Sequence, residues 1–593
     1  MTTYRAPTRD LRFVIEELIG LERLAGLADL EAVTPELLEA VLAEAGRLAD
    51  EVWAPLNVTG DQQGCSLTDG AVALPEGFAD AYRAFVEGGW NGINAPPEHG
   101  GQGLPAVVAS ATQEMWHGAN MALALAPMLS AGATTLLQRH GDASLRERFL
   151  GKLVSGEWTG TMDLSEPQAG SDLGQVACRA VPDGDAYRLH GEKIYITWGE
   201  HEAAENIIHL VLARTPDAPA GHRGISLFLV PKYLVEADGS LGARNDVHCT
   251  ALEDKLGIHG SPTCTIAYGD REGAVGYLVG EAHRGLKYMF TMMNEARHKV
   301  GLQGVGVAER AYQQAVAFAR ERIQGRRPGG EAAVPILHHP DVRRMLMTMR
   351  AQTEAMRALA LLAAAEMDVA EHSPDETARA AAQRRVDLLT PVVKAVATDQ
   401  AVETASLGIQ VHGGMGYVEE LGVPQLLRDV RIAPIYEGTN GIQAQDFTLR
   451  KVLKDGGETL EGVLAEADGV VEALRADSAL AGLGDGLAEA LAALRGSTQR
   501  LLRDGADDAL VPLTAATPYL AQAGLVLGGW LMGRAALVAR QQGDAGSGDT
   551  AFYTAKLHTA RFYMRHVLPR AHGYTPAIRG GSDELEAIDD EHW

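Results

Sequence analysis

Apolar residues recur at helical spacing along the first part of the chain. Leu11, Val14, Leu18 and Leu21 share one helical face, and Leu37, Leu38, Val41 and Leu42 share another. Pro35 opens the second of these, where its missing N–H costs nothing. The helical pattern runs from residue 8 to about 137. It is broken by Pro96-Pro97-Glu98-His99-Gly100-Gly101-Gln102-Gly103, whose composition predicts a loop. Near Gly160 the pattern changes. Short strand-like runs, such as 207–213 and 225–230, alternate with turns, and Pro182-Asp183-Gly184-Asp185 is a turn signal. Helical periodicity returns from His283 to about Leu453. The pair Gly456-Gly457 then precedes a stretch rich in Ala, Leu and Glu. Here Leu460, Val463, Leu464, Val470, Val471 and Leu474 form one stripe, and Leu487, Ala490, Leu491 and Leu494 another. Phe552-Tyr553-Thr554-Ala555-Lys556-Leu557 and Phe562-Tyr563-Met564 predict a further helix. Such stripes need an apolar partner, either one another or the rest of the chain.

The strands are segregated from the helices, so the fold class is mainly α with a separate small β domain, and a doubly wound parallel sheet is disfavoured. The predicted division is an N-terminal helical extension (1–35), a helical domain (36–159), a β domain (160–282), a second helical domain (283–453) and an appended helical domain (458–593).

A chain of 593 residues is too long for one core. Its net charge of −26, from 52 Lys and Arg against 78 Asp and Glu, repels nucleic acid and anionic membranes. A polyanionic ligand must then meet a local cluster of cations or backbone N–H groups. Four cysteines without C-x-x-C spacing predict a reducing compartment and no disulfide framework. Met1-Thr2-Thr3-Tyr4-Arg5 carries no apolar leader signal. The most apolar stretch, 521–533, ends at Arg534 and reads as too short to cross a bilayer. The expected location is cytoplasmic, with neither a membrane nor a nucleic-acid partner.

Several motifs are weak. His201-Glu202-Ala203-Ala204-Glu205 lacks the second His of a zinc-protease helix. Gly413-Gly414-Met415-Gly416 follows a helical segment, which fits a dinucleotide fingerprint poorly. His338-His339 reads as a helix entry before Pro340, and no metal site is expected. Two segments are more specific: Ser165-Glu166-Pro167-Gln168-Ala169-Gly170-Ser171-Asp172 and Ile435-Tyr436-Glu437-Gly438-Thr439-Asn440-Gly441-Ile442-Gln443. A carboxylate such as Glu437 removes a proton from carbon well when burial raises its pKa toward working pH. The Gly after it lets backbone approach a flat ligand closely.

With Gly191-Glu192-Lys193-Ile194-Tyr195-Ile196-Thr197, Lys255-Leu256-Gly257 and Gln410-Val411-His412-Gly413-Gly414 in the same order, these segments resemble the acyl-CoA dehydrogenase family over about residues 36–450. Tyr4-Arg5-Ala6-Pro7, the run from Gly257 to Cys264 and the long C-terminal region resemble its larger bacterial branch, which includes 3-methylmercaptopropionyl-CoA dehydrogenases. The resemblance implies a helical N-domain, a β-barrel-like middle domain, a four-helix C-domain and an appended helical domain. It implies FAD as cofactor and oxidation of an acyl-CoA to the trans-2-enoyl-CoA. Glu437 would take the α-proton, flavin N5 the β-hydride, and an electron-transfer flavoprotein the electrons. In one family branch the base instead precedes the Arg matched by Arg297. Here that residue is Ala296, and Glu295 points about 100° away from it on a helix.

The resemblance also assigns contacts. Met162, Leu164, Ser165, Tyr195 and Thr197 would lie beside the flavin ring, with Ser and Tyr replacing the usual Thr and Trp. Arg322, Gln324, Gln410, Gly413 and Gly414 would reach the flavin of a neighbouring subunit, with Thr439 and Gln443 near the adenine side. This implies a homo-oligomer, with a dimer favoured. The usual R-x-Q-F-G is Arg322-Ile323-Gln324-Gly325 here, without the Phe. Ser171, Asn294 and Arg297 would hold the CoA moiety, and Gly438 the thioester. The alternatives are an oxidase of the same fold using O₂ and a DNA-associated alkylation-response flavoprotein. The second needs a basic face, and the C-terminal region has no basic run.

Overall fold

The computed structural model describes residues 4–593 apart from Glu31, Ala237 and Ser547, and of Glu584 it describes only the backbone. Met1, Thr2 and Thr3, part of the segment read for a leader, lie outside the described residues. The elements that position the site are helices α1 (Ala106–Ala119) and α2 (Met121–His140), then strands β1 (Trp158–Asp163), β2 (Arg179–Asp183), β3 (Ala186–Thr197), β4 (Asn206–Ala213), β5 (Ser226–Pro231), β6 (Val247–Leu252), β7 (Thr263–Tyr268) and β8 (Ala274–Leu278). Three long helices follow, α3 (Gly285–Glu321), α4 (Pro340–His372) and α5 (Glu376–His412), and then the short α6 (Asn440–Gln445). The C-terminal helices are α7 (Glu458–Ala476), α8 (Ala481–Asp504), α9 (Leu510–Asp544), α10 (Thr550–Phe562) and α11 (Arg570–Arg579).

The eight strands form one curled sheet in the order β6-β7-β3-β8-β5-β4-β1, with β2 paired to β3 as well. Only β1 and β4 pair in parallel. β4 and β5 are buried along their whole length, which suits their unbroken apolar sequences. The 182–185 turn joins β2 to β3 as a hairpin, and the 96–103 segment is a loop with one short turn of helix, as the composition predicts. One difference lies in the N-terminal helical region. A two-stranded hairpin, Ser66–Thr68 with Ala71–Ala73, interrupts it. Its turn is Asp69-Gly70, both left-handed, a signal that helical periodicity overlooks.

α3, α4 and α5 pack together with α1 and α2 around one large apolar core. Asp368 of α4 caps α1, its carboxylate accepting from Ala106 N at 2.6 Å and Val107 N at 3.1 Å. The C-terminal stripes are buried, and they cover both each other and the helical core. α9 crosses α4 and α5 with Tyr519 against Phe447, ring centroids 5.4 Å apart. Met121–His140 and Leu510–Asp544 are each long and apolar enough to cross a membrane, and most of each is buried within the fold. The 521–533 stretch is therefore the middle of a 35-residue helix, longer than its own apolar run indicates.

Gly524 lets α9 approach α5. A Cβ there would stand 2.5 Å from Val396 Cγ2. Gly524→Leu is expected to cost about 1–3 kcal/mol through overpacking and to lower the melting temperature while turnover per folded site is kept. A chain ended at Gly457 is expected to aggregate, because it uncovers the same face. Unchanged melting and association in both variants would show that α9 does not brace the core.

Candidate active site

The site is built around a strained turn. Glu437 has φ +56° and Gly438 φ +81°, two left-handed residues in succession. Gly is favoured at the second by its angle, and a Cβ there would lie 2.8 Å from Gln443 Nε2, so that amide would have to shift. Glu437 is not Gly, and its φ is a strained conformation of the kind that persists only where surroundings hold it.

Three elements hold it. From α3, Arg297 is buried, and its Nε donates to Glu437 O at 3.4 Å. From α5, Lys394 Nζ donates to Gly438 O at 2.8 Å. From α6, Gln443 Nε2 donates to Glu437 O at 3.3 Å, and the Thr439 hydroxyl caps the helix by accepting from Ile442 N at 3.2 Å. Tyr436 OH donates to the buried Gln303 Oε1, and Gln303 Nε2 in turn contacts Met128 Sδ of α2 at 3.3 Å. Glu437 keeps partial access to solvent, yet protein surrounds its carboxyl. Burial pushes its pKa up to about 7, while Arg297 and then Lys394 pull it back.

A second group of residues comes together on the sheet. The side chain of Lys193 is fully buried, and its Nζ donates to Leu164 O at 3.0 Å and Glu166 Oε1 at 2.7 Å. Ile194 N donates to Ser165 O at 3.0 Å. Glu166 also accepts from Ala177 N and Cys178 N, at 2.7 and 3.1 Å. This clamp sets 162–165 beside 195–197. The pairing of β7 with β3 slips between Cys264 and Ile266, a β-bulge. Tyr195 lies in it with φ +61° and is 62% exposed, an aromatic presented outward from a strand. With the Thr197 hydroxyl two residues on, and with the Ser165 hydroxyl and half-buried Met162 on the segment the clamp holds beside it, this surface fits a flat aromatic ring with polar edges.

A third group sits at the far ends of α3 and α5. Phe318 and His412 stack at 4.4 Å and join the two ends. Arg322, Gln324, Gln410, Gly413 and Gly414 are all exposed there. Among them stand the exposed apolar residues Ile323, Met415, Tyr417 and Val418. Among the described residues, no hydrogen bond or ion pair links this group to the 162–197 surface.

Other expected residues take different places. Gln443 is fully buried with its amide turned to the Glu437 and Gly438 carbonyls, so it braces the turn and does not face out toward a ligand. The helix capped at Thr439 rotates it inward. Arg297 likewise lies against the turn and near Asp446, at 4.0 Å, with Asn294 Oδ1 at 3.4 Å. Asn294 is exposed beside it, while Ser171 is exposed on the 166–172 loop and makes no hydrogen bond to either among the described residues. Glu295 is paired with Lys299, which lowers its pKa against the opposing effect of burial. A cavity of about 550 Å³ opens between α1, α2, α3, α4 and α5; Asn294, Glu295 and Arg297 line it, and Glu437 does not. Among the described residues there is no cluster of His, Cys, Asp and Glu that could hold a metal. The signal missed in the sequence is Lys394, a single cation inside the apolar run 391–397.

The pKa of Glu437 gives a sign for stability. A carboxyl whose pKa is raised in the folded state contributes most below about pH 4.5, and that contribution is lost as pH rises through about 7. Glu437→Gln, which does not titrate, should therefore melt at a higher temperature than the parent at pH 8, with the gap narrowing at pH 4.5. A gap independent of pH would place the Glu437 carboxyl in water.

The chain matches four family profiles: "Acyl-CoA dehydrogenase, N-terminal domain" over residues 38–157, "Acyl-CoA dehydrogenase, middle domain" over 161–270, "Acyl-CoA dehydrogenase, C-terminal domain" over 283–450 and "Acetyl-CoA dehydrogenase C-terminal like" over 459–589. It is 46% identical over 589 residues to a 3-methylmercaptopropionyl-CoA dehydrogenase of Ruegeria pomeroyi, covering 98% of this chain and 99% of the other. It is 34% identical over 594 residues to a butyryl-CoA dehydrogenase of Syntrophomonas wolfei, covering 97% of each. The fold is similar to that of an acyl-CoA dehydrogenase complexed with FAD from Bacillus anthracis, with TM-score 0.74 and 21% identity over 99% of this chain and 93% of that one.

Proposed function

Since the chain belongs to the acyl-CoA dehydrogenase family and is an FAD-dependent enzyme of it, we propose that it desaturates a short acyl-CoA at the α,β bond with Glu437 as the base. The observation that carries this reading is the strained, enclosed turn that holds Glu437. Burial makes its carboxylate basic enough to take an α-proton, and the nearby cations keep part of it ionised at neutral pH. The backbone N–H of Glu437 is proposed to donate to the thioester oxygen and stabilise charge that develops there. Bound FAD supplies the acceptor for the β-hydride. Tyr195, Thr197, Ser165, Leu164 and Met162 would hold its ring. The exposed cation and amides at the ends of α3 and α5, Arg322 with Gln324 and Gln410, would reach the flavin of a second copy. Arg322 suits a pyrophosphate, because its fork makes paired charge-assisted bonds. Ser171, Asn294 and Arg297 are proposed to contact CoA. The reduced enzyme is proposed to pass its electrons to an electron-transfer flavoprotein.

One finding supports a short acyl group: relatives named for 3-methylmercaptopropionyl-CoA and butyryl-CoA match along nearly the whole chain. Behind the turn, Tyr436 and Gln303 link it to Met128 of α2.

Glu437→Gln is expected to keep FAD and lose flavin reduction by acyl-CoA by about 10²–10⁴-fold or more. In the parent, reduction should rise with pH through about 7 and then level. Near-normal reduction in the variant would move the base elsewhere. A panel containing 3-methylmercaptopropionyl-, butyryl- and long-chain acyl-CoA, with a dye acceptor, tests the substrate, and a long-chain optimum would contradict the short-acyl reading.

If the third group of residues completes a neighbour's flavin site, the flavoprotein should be at least a dimer in light scattering, and loss of FAD should weaken association. A fully flavinated monomer would contradict this.

A further inference from the structure

Lys394 is the lone cation in Pro391-Val392-Val393-Lys394-Ala395-Val396-Ala397, and its side chain has no exposure. A buried ammonium is costly unless its donors are met. Two of them are met by the segment that carries Glu437: Nζ donates to Gly438 O at 2.8 Å and to Asn440 Oδ1 at 2.8 Å. Asn440 is itself tied back to α5. Its Nδ2 donates to Ala395 O at 3.1 Å, Thr398 Oγ1 at 3.0 Å and Asp399 Oδ1 at 2.7 Å. Lys394 is thus fastened to the two sides of Thr439 and directly to the carbonyl that follows Glu437. A left-handed turn at a non-Gly residue relaxes unless held, and this is the contact that holds it from the α5 side.

Resting on the assignment of Glu437 as the base, we propose that Lys394 is its positioning residue: the buried ammonium fixes the turn opposite Arg297, and its charge favours the anionic form of the base. The charged groups around the pair come from several elements. Arg297 approaches from α3, and Asp399 from α5 beside Lys394 itself. Arg431 lies before the turn and acts on Asp399, while Asp446 and Arg450 lie after it and act on Arg297. Burial lowers Lys394 to about 8, and Glu437 and Asp399 work against that. The ammonium and the carboxylate therefore titrate within the same neutral range, and each stabilises the charged form of the other. A merely structural role predicts something else. Removing one partner of a buried charged contact destabilises the fold whatever its catalytic role, whereas only a positioning charge also moves the pH midpoint, so melting temperature and midpoint are read separately at this residue.

The test uses the flavin-loaded enzyme with Lys394→Met, Lys394→Gln and Lys394→Arg, reading FAD content, melting temperature and the pH profile of flavin reduction at saturating acyl-CoA. In Lys394→Met and Lys394→Gln the pH midpoint is expected to move up by about one unit or more, the size set by losing one nearby opposite charge. Reduction at pH 7 should fall about fivefold or more, as a one-unit rise of the midpoint requires, with FAD retained and KM changed less than the rate. Lys394→Arg should restore the midpoint toward the parent value. If Lys394→Met does not accumulate as a flavoprotein, Lys394→Gln, which keeps a donor and removes only the charge, decides on the same readouts. A parent-like midpoint and rate overturns the proposal, as does a lower melting temperature with an unmoved midpoint. Glu437→Gln run alongside separates the two ideas: if it reduces flavin normally, the base assignment fails and not merely its support.

Discussion

A carboxylate that must take a proton from carbon at neutral pH meets two opposed demands. It has to leave water to become basic, and it has to remain partly charged to act. For Glu437, proposed above as the base, both are set at one turn, Glu437-Gly438, where burial raises the carboxyl to about 7 and Arg297 and Lys394 limit the rise. Neither cation lies next to Glu437 in sequence. Each comes from a long helix, α3 or α5, so the basicity of the site depends on how those helices pack. The small residues along their contact matter for this reason. A Cβ at Gly301 would stand 2.5 Å from Val393 Cγ1, one residue before Lys394.

The same helices carry a different chemistry at their far ends. There the Phe318–His412 contact joins the two helix ends, which carry an exposed Arg, exposed amides and glycines, and exposed apolar side chains. The sheet presents an aromatic surface at Tyr195 that the Lys193–Glu166 clamp keeps in register. Within one chain these two surfaces remain separate, which suits a site shared between copies. The C-terminal helices pack on α4 and α5, while Arg322, Gln324, Gln410, Gly413 and Gly414 at the ends of α3 and α5 stay exposed.

Much of this was legible in the sequence, for reasons that differ by residue. Strand and helix segregation follows from periodicity alone. The Tyr195 and Ser165 segments, 30 residues apart, come together as expected because Lys193 and Ile194 of β3 bond the segment that follows β1, and Glu437 is singled out by its motif within the family resemblance. Long-range partners were not legible. Nothing local says that Lys394 reaches Gly438, since that contact spans 44 residues and depends on helix packing. The resemblance assigns Arg297 to CoA and Gln443 to the adenine side of FAD, while within this chain both donate to the Glu437 carbonyl. The Asp69-Gly70 hairpin was masked by the helical pattern around it.

The central claim is that the Glu437 carboxyl is held out of water and titrates near neutrality. Infrared difference spectra of the parent minus Glu437→Gln, recorded against pH on the flavin-loaded protein without substrate, report that carboxyl directly. The account predicts a protonated carboxylic-acid band that gives way to carboxylate with a midpoint near pH 7. A carboxyl already ionised at pH 5.5, as an exposed Glu would be, would contradict it.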